Sequence, residues 1–82
     1  MLTEEQFKAA MIRIRDEYKH HQGDMNKNIR YQENLGWAVG LNDSLALLTG
    51  KPYIACDAWL NGKGNPDLLL NYQEGTSLVQ LY

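Results

Sequence analysis

Eighty-two residues are enough for one domain with a modest core. A hydrophobic fraction of 44% with 22% charged residues excludes a disordered chain, and no apolar run is long enough to span a bilayer. The net charge of −2 gives no global attraction to nucleic acid, and the single cysteine excludes an internal disulfide.

One unpaired cysteine fits a reducing compartment, so the expected location is cytoplasmic. Residues 2–10 are charged rather than an apolar run, so no signal peptide is expected. The charge is uneven. Lys8, Arg13, Arg15, Lys19, Lys27 and Arg30 all lie in the first thirty residues, and only Lys51 and Lys63 follow. An anionic partner would therefore meet the N-terminal part of the chain.

The first predicted element is a helix from about Thr3 to His20. Thr3 and Gln6 have capping-box spacing, Leu2 and Phe7 that of a hydrophobic staple, and Glu4 and Glu5 suit the positive helix end. Phe7, Ala10, Met11, Ile14 and Tyr18 form one narrow apolar stripe, and Gly23 is expected to end the segment. Lys8, Ile12, Arg15 and Lys19 share another face. Such a row is either a solvated surface with an incidental isoleucine or a contact site for an acidic protein or phosphates, with Ile12 as its apolar anchor.

The second element is a helix over about residues 26–48, with Asp24, Asn26 or Asn28 as candidate caps. Its stop is clear, because Gly50 suits a left-handed terminal position and Pro52 prevents continuation. At 100° per residue its apolar positions spread over a wide arc centred on Leu45, Ala38, Tyr31 and Leu35 and extending to Trp37 and Val39. That width implies contacts on several sides. Asn42 falls inside the arc and Asn34 beside it, so each needs partners for its amide. Nearly opposite lie Ile29, Gly36, Gly40 and Leu47. Two glycines four apart make a notch that another backbone can approach, filled either within the chain or by a second subunit.

After Pro52 the pattern changes. Ile54, Cys56, Ala58 and Leu60 alternate with Tyr53, Ala55, Asp57 and Trp59, as in a strand. Asn61–Pro66 is a turn signal, and Glu74-Gly75 suits a tight hairpin that sets Leu70 against Val79 and Leu68 against Leu81. The resulting expectation is one α+β domain, residues 1–82, with an antiparallel helix pair packed on a three-stranded antiparallel meander. The competing arrangement is all-α with four helices. Pro66 after Asn65 is a good helix start, Gly75 a good stop, and leucine-rich segments with few β-branched residues favour helix.

No residues assemble a catalytic, metal or nucleotide signature, so no catalytic residue, metal ligand or cofactor is assigned. His20 and His21 have acids four residues away, but adjacent helical histidines project about 100° apart and rarely share a metal. Capping of the helix C-terminus by a charged histidine is the expected role. Cys56 lies in an apolar segment without a base, so a buried inert thiol is expected. Gly62-Lys63-Gly64 lacks the framework of a phosphate loop and reads as a turn. The aromatic residues are spread out rather than interleaved with basic ones, which favours core positions over base stacking.

The function expected from these features is a small non-enzymatic interaction module, of the kind common among bacterial and phage accessory or inhibitor proteins. Its expected partners are another protein with an acidic surface, met by Lys8, Ile12, Arg15 and Lys19, and a second copy, met by Ile29, Gly36, Gly40 and Leu47. Nucleic-acid binding through Lys8, Arg15, Lys19, Lys27 and Arg30 is the first alternative, and a metal-binding or enzyme-subunit role around His20 and His21 the second.

Overall fold

A computed structural model describes residues 2–82 of the protein. Among them the regular elements are all helical: α1 (Glu4–Asn26), α2 (Tyr31–Thr49), α3 (Tyr53–Leu60), α4 (Pro66–Leu70) and a final turn of 3-10 helix at Leu78–Leu81.

α1 starts where the sequence places its cap. Thr3 Oγ1 accepts from the Gln6 backbone N–H at 3.1 Å, and Gln6 Oε1 accepts from the Thr3 N–H at 3.0 Å. The helix does not stop at Gly23 but runs through it to Asn26. His20 and His21 therefore lie inside the helix, and neither occupies its C-terminal turn. The connection to α2 is short and tightly bent, with left-handed φ at Asn28 (59°) and Arg30 (44°). Non-glycine residues resist that conformation. Here the Asn34 side chain holds it, donating Nδ2 to the carbonyls of Ile29 at 2.8 Å and Arg30 at 3.3 Å. None of the caps expected for α2 is used. Arg30 stands at its N-cap without a side-chain bond.

α2 ends as expected. Gly50 adopts φ 69° and its N–H bonds the Ala46 carbonyl at 2.9 Å. His21 meets Asn34 and Trp37, while Tyr18, one turn earlier, shares a cleft with Asn42, two turns later. The two long helices are therefore an antiparallel hairpin. Met11 and Tyr18 of α1 and Ala38 and Leu45 of α2 are buried in the shared core.

The expected three-stranded meander is absent, and no strand forms among the described residues. Residues 53–60 are helix α3, whose Ala55, Cys56, Ala58, Trp59 and Leu60 are all buried. The side of α3 that stays open carries Tyr53 and Ile54, with Asp57 its one charged residue, so the helix shows no clear polar face and its sequence mimics a strand covered on both sides. The second predicted strand is α4, where Asn65 Oδ1 caps the Asp67 N–H at 3.0 Å and Pro66 takes the first turn. Gly75 does make a turn, with φ 88°, but leads into the 3-10 turn and not a hairpin. Val79 is exposed, so the predicted pairing with Leu70 does not exist.

Trp59 is the centre of this C-terminal half. Its side chain is fully buried, and Nε1 donates to the Asn65 carbonyl at 2.8 Å. Leu69 and Leu81 are buried around the same core. Fully burying each leucine contributes about 1.5–3 kcal/mol, which lets two very short elements hold their places.

Candidate functional site

The broad face of α2 is only partly used by the fold. Ala38, Asn42 and Leu45 are buried, as the arc requires, but Tyr31, Leu35, Trp37 and Val39 are exposed. Trp37 was expected among the core aromatics and is instead 61% exposed. The buried aromatic residues are Tyr18, Trp59 and Tyr72.

The glycine notch lies open. A Cβ added at Gly36 or Gly40 would meet nothing within 4 Å, so neither α1 nor the C-terminal elements fill it. The two glycines, the edge of Trp37, and Leu41, Glu33 and Ser44 line a shallow groove of about 550 Å³ on this one helix. Leu47, on the same face, is 86% exposed. Ile29 is also exposed but stands in the turn ahead of α2, not on the helix itself.

Trp37 is held in place from below. His21 stacks on it, with centroids 5.3 Å apart, and the His21 Nδ1 lies 2.6 Å from Asn34 Oδ1. His21 comes from α1 and the other two from one turn of α2, so no spacing in the sequence could reveal all three together.

The cationic row on α1 is divided by the fold. Lys8 is neutralised, with its ammonium 2.7 Å from Asp67 and 3.1 Å from Glu4, and these hydrogen bonds push its pKa up. Arg15 Nη2 donates to the Gly62 carbonyl at 2.8 Å, and its guanidinium covers Gly64. The Gly62-Lys63-Gly64 segment is thus a turn pinned by Arg15. Lys19 remains without a carboxylate partner among the described residues, and its pKa is lowered by burial and by Arg15. Ile12, two turns earlier on the same helix, is 36% exposed.

No group of three or more His, Cys, Asp and Glu side chains gathers for a metal among the described residues. Cys56 is fully buried, and burial pushes its thiol pKa up, away from a reactive thiolate. Among the described residues, no helix is long and apolar enough to cross a membrane. Comparison with known proteins finds no match: no family model fits the chain, and no curated protein or solved structure is significantly similar to it.

Proposed function

We propose that this protein is a non-enzymatic interaction module that docks a second copy of itself through the exposed face of α2. The observation that carries this reading is the open groove at Gly36 and Gly40 beside an exposed Trp37 and Leu47. Apolar surface of this kind, left uncovered on a small domain, marks a docking site. Glycines in a helix interior each cost about 1 kcal/mol relative to alanine, and close approach of another backbone is the return for that loss.

The face is laid out symmetrically about Ala38. In an antiparallel two-fold contact centred there, Gly36 of each copy meets Gly40 of the other, and Leu47 comes to the end that carries Ile29. Self-complementarity of this sort favours a second copy over an unrelated protein. The same layout sets Glu33 opposite Asp43, a repulsion that dissolved salt would screen. A standard stable interface removes about 800 Å² per partner. α2 has 19 residues, and such a helix is about 28 Å long. The strip therefore falls short of that area, and the expected dimer is weak, dissociating in the micromolar range. Light scattering coupled to size exclusion, comparing wild type with Gly40→Leu, tests the proposal.

A second reading rests on Ile12 and Lys19. The unpaired Lys19, with the exposed Ile12 two turns away on the same helix, suits an acidic protein surface, and this strip lies on α1, away from the α2 groove.

A further inference from the structure

A second cleft, of about 220 Å³, opens between the first three helices. Its floor is made by Tyr18 of α1, Ala38 and Asn42 of α2, and Asp57 of α3. Met25, Leu35 and Val39 form an apolar wall, and Tyr53 stands at the mouth.

The polar end of this cleft is rich in acceptors and lacks a cation. Asn42 is 1% exposed, and its Nδ2 donates to Asp57 Oδ1 at 3.4 Å. That bond fixes the amide orientation and leaves Asn42 Oδ1 buried without a hydrogen-bond partner. A buried carbonyl left unpaired is costly, so the site is incomplete as it stands. The Asp57 carboxylate makes no ion pair among the described residues, and no Lys, Arg or His lines the cleft. The Tyr18 hydroxyl already accepts from Asn61 Nδ2 at 3.2 Å. Burial pushes the Tyr53 phenol pKa up, Asp43 and Asp57 add to the rise, and a hydrogen bond with the Asn42 amide opposes it.

The geometry points to a binding site for a small primary ammonium carried on an apolar body, with its nitrogen toward Asp57 and Asn42 and its carbon skeleton against Leu35, Val39 and Met25. An ammonium presents three N–H donors and no acceptor, which matches an end that offers a carboxylate and an unpaired carbonyl. An anion is opposed by Asp57, and a neutral hydroxyl brings neither the charge nor enough donors. At about 30 Å³ per displaced water the space equals roughly seven waters, the size of a benzylamine-like molecule.

Calorimetric titration with benzylamine, and with benzyl alcohol as the neutral isostere, tests this on the intact chain. Benzylamine should bind saturably in the millimolar range, with amide shifts in a parallel ¹⁵N spectrum centred on Leu35, Val39 and Asn42. Benzyl alcohol should bind at least about tenfold more weakly, equivalent to about 1.4 kcal/mol. Asp57→Asn should lose affinity for benzylamine by a similar factor while its affinity for benzyl alcohol stays the same. Equal binding of the amine and the alcohol by wild type would overturn the assignment without any variant. So would an absence of saturable amine binding, or shifts that fall elsewhere on the molecule.

Discussion

The imidazole of His21 lies parallel to the indole of Trp37, with ring centroids 5.3 Å apart and an angle of 2° between the planes. Asn34 fixes this pair. Its Nδ2 is committed to the Ile29 and Arg30 carbonyls, so its Oδ1 faces His21 and the Nδ1 of that ring carries the proton. One asparagine thereby shapes the turn into α2 and sets the ring that supports Trp37. A tryptophan that would otherwise swing freely is presented as a fixed wall of the Gly36–Gly40 groove.

The two tryptophans should therefore lose very different amounts of stability on truncation. Trp37→Ala loses a stack and little burial, and should cost about 0.5–1.5 kcal/mol. Trp59→Ala empties the centre of the core and should cost about 3–5 kcal/mol, a large share of the stability of a domain of this size. Urea melts followed by circular dichroism separate the two. Equal losses would show that Trp37 is packed inside the fold.

Two glycines make an equally sharp contrast. Gly23 lies within α1 with nothing within 4 Å of an added Cβ, so Gly23→Ala should stabilise by about 0.5–1 kcal/mol. At Gly62 a Cβ would fall onto the Leu81 carbonyl, which already accepts the Lys63 N–H at 3.3 Å. Gly62→Ala should push the C-terminal turn away from α3 and lower the melting temperature by several degrees, a loss of about 1–3 kcal/mol. Stabilisation at position 62 would mean that the C-terminal turn does not pack there.

Arg15 and Lys19 sit one turn apart and should differ in kind. Arg15→Ala removes the bond to Gly62 and the cover over Gly64, and should destabilise by about 1–3 kcal/mol. Lys19→Ala and Ile12→Ala should stay within about 0.5 kcal/mol of wild type, because neither anchors another element. Thermal melts of the three variants check the division. A silent Arg15→Ala would return that residue to the solvated surface.

Cys56 should give folding an alkaline limit. Burial raises its pKa from the ordinary 9.0, so the folded chain keeps its proton when the unfolded chain has lost it. The contribution is complete below pH 9.0 and is lost as pH rises above that value toward the folded pKa. Urea midpoints should therefore fall more steeply between pH 8.5 and 10 for wild type than for Cys56→Ala, in steps of about half a unit. Parallel slopes would show that another group sets the limit.

Local chemistry made the long helices legible. The Thr3–Gln6 box, the Met11–Tyr18 stripe and the Gly50-Pro52 stop each depend on neighbours in sequence, and each forms. Asn42 was readable as a buried amide for the same reason. α3 was not, because its exposed side carries Tyr53 and Ile54, and apolar residues on the open face erase the periodicity that distinguishes a helix from a covered strand. Gly23 misled because a helix packed along its length outweighs the propensity penalty of a single glycine. The glycine face of the candidate site was visible in the spacing of Gly36, Gly40 and Leu47. Its openness was not, since that depends on where α1 lies, and the placement of Trp37 depends on His21 and Asn34 across the hairpin.

Docking of a second copy on α2 through Gly36 and Gly40, as proposed, is open to one direct test. Because nothing lies within 4 Å of a Cβ at position 40, Gly40→Leu should fold at least as well as wild type while blocking close approach. Light scattering coupled to size exclusion at high micromolar loading is the direct measurement. Wild type should populate a species of twice the 9.4 kDa chain mass, more so as salt screens Glu33 from Asp43, and Gly40→Leu should remain a folded monomer. A wild type that stays monomeric throughout, or a Gly40→Leu variant that dimerises as wild type does, would contradict the account.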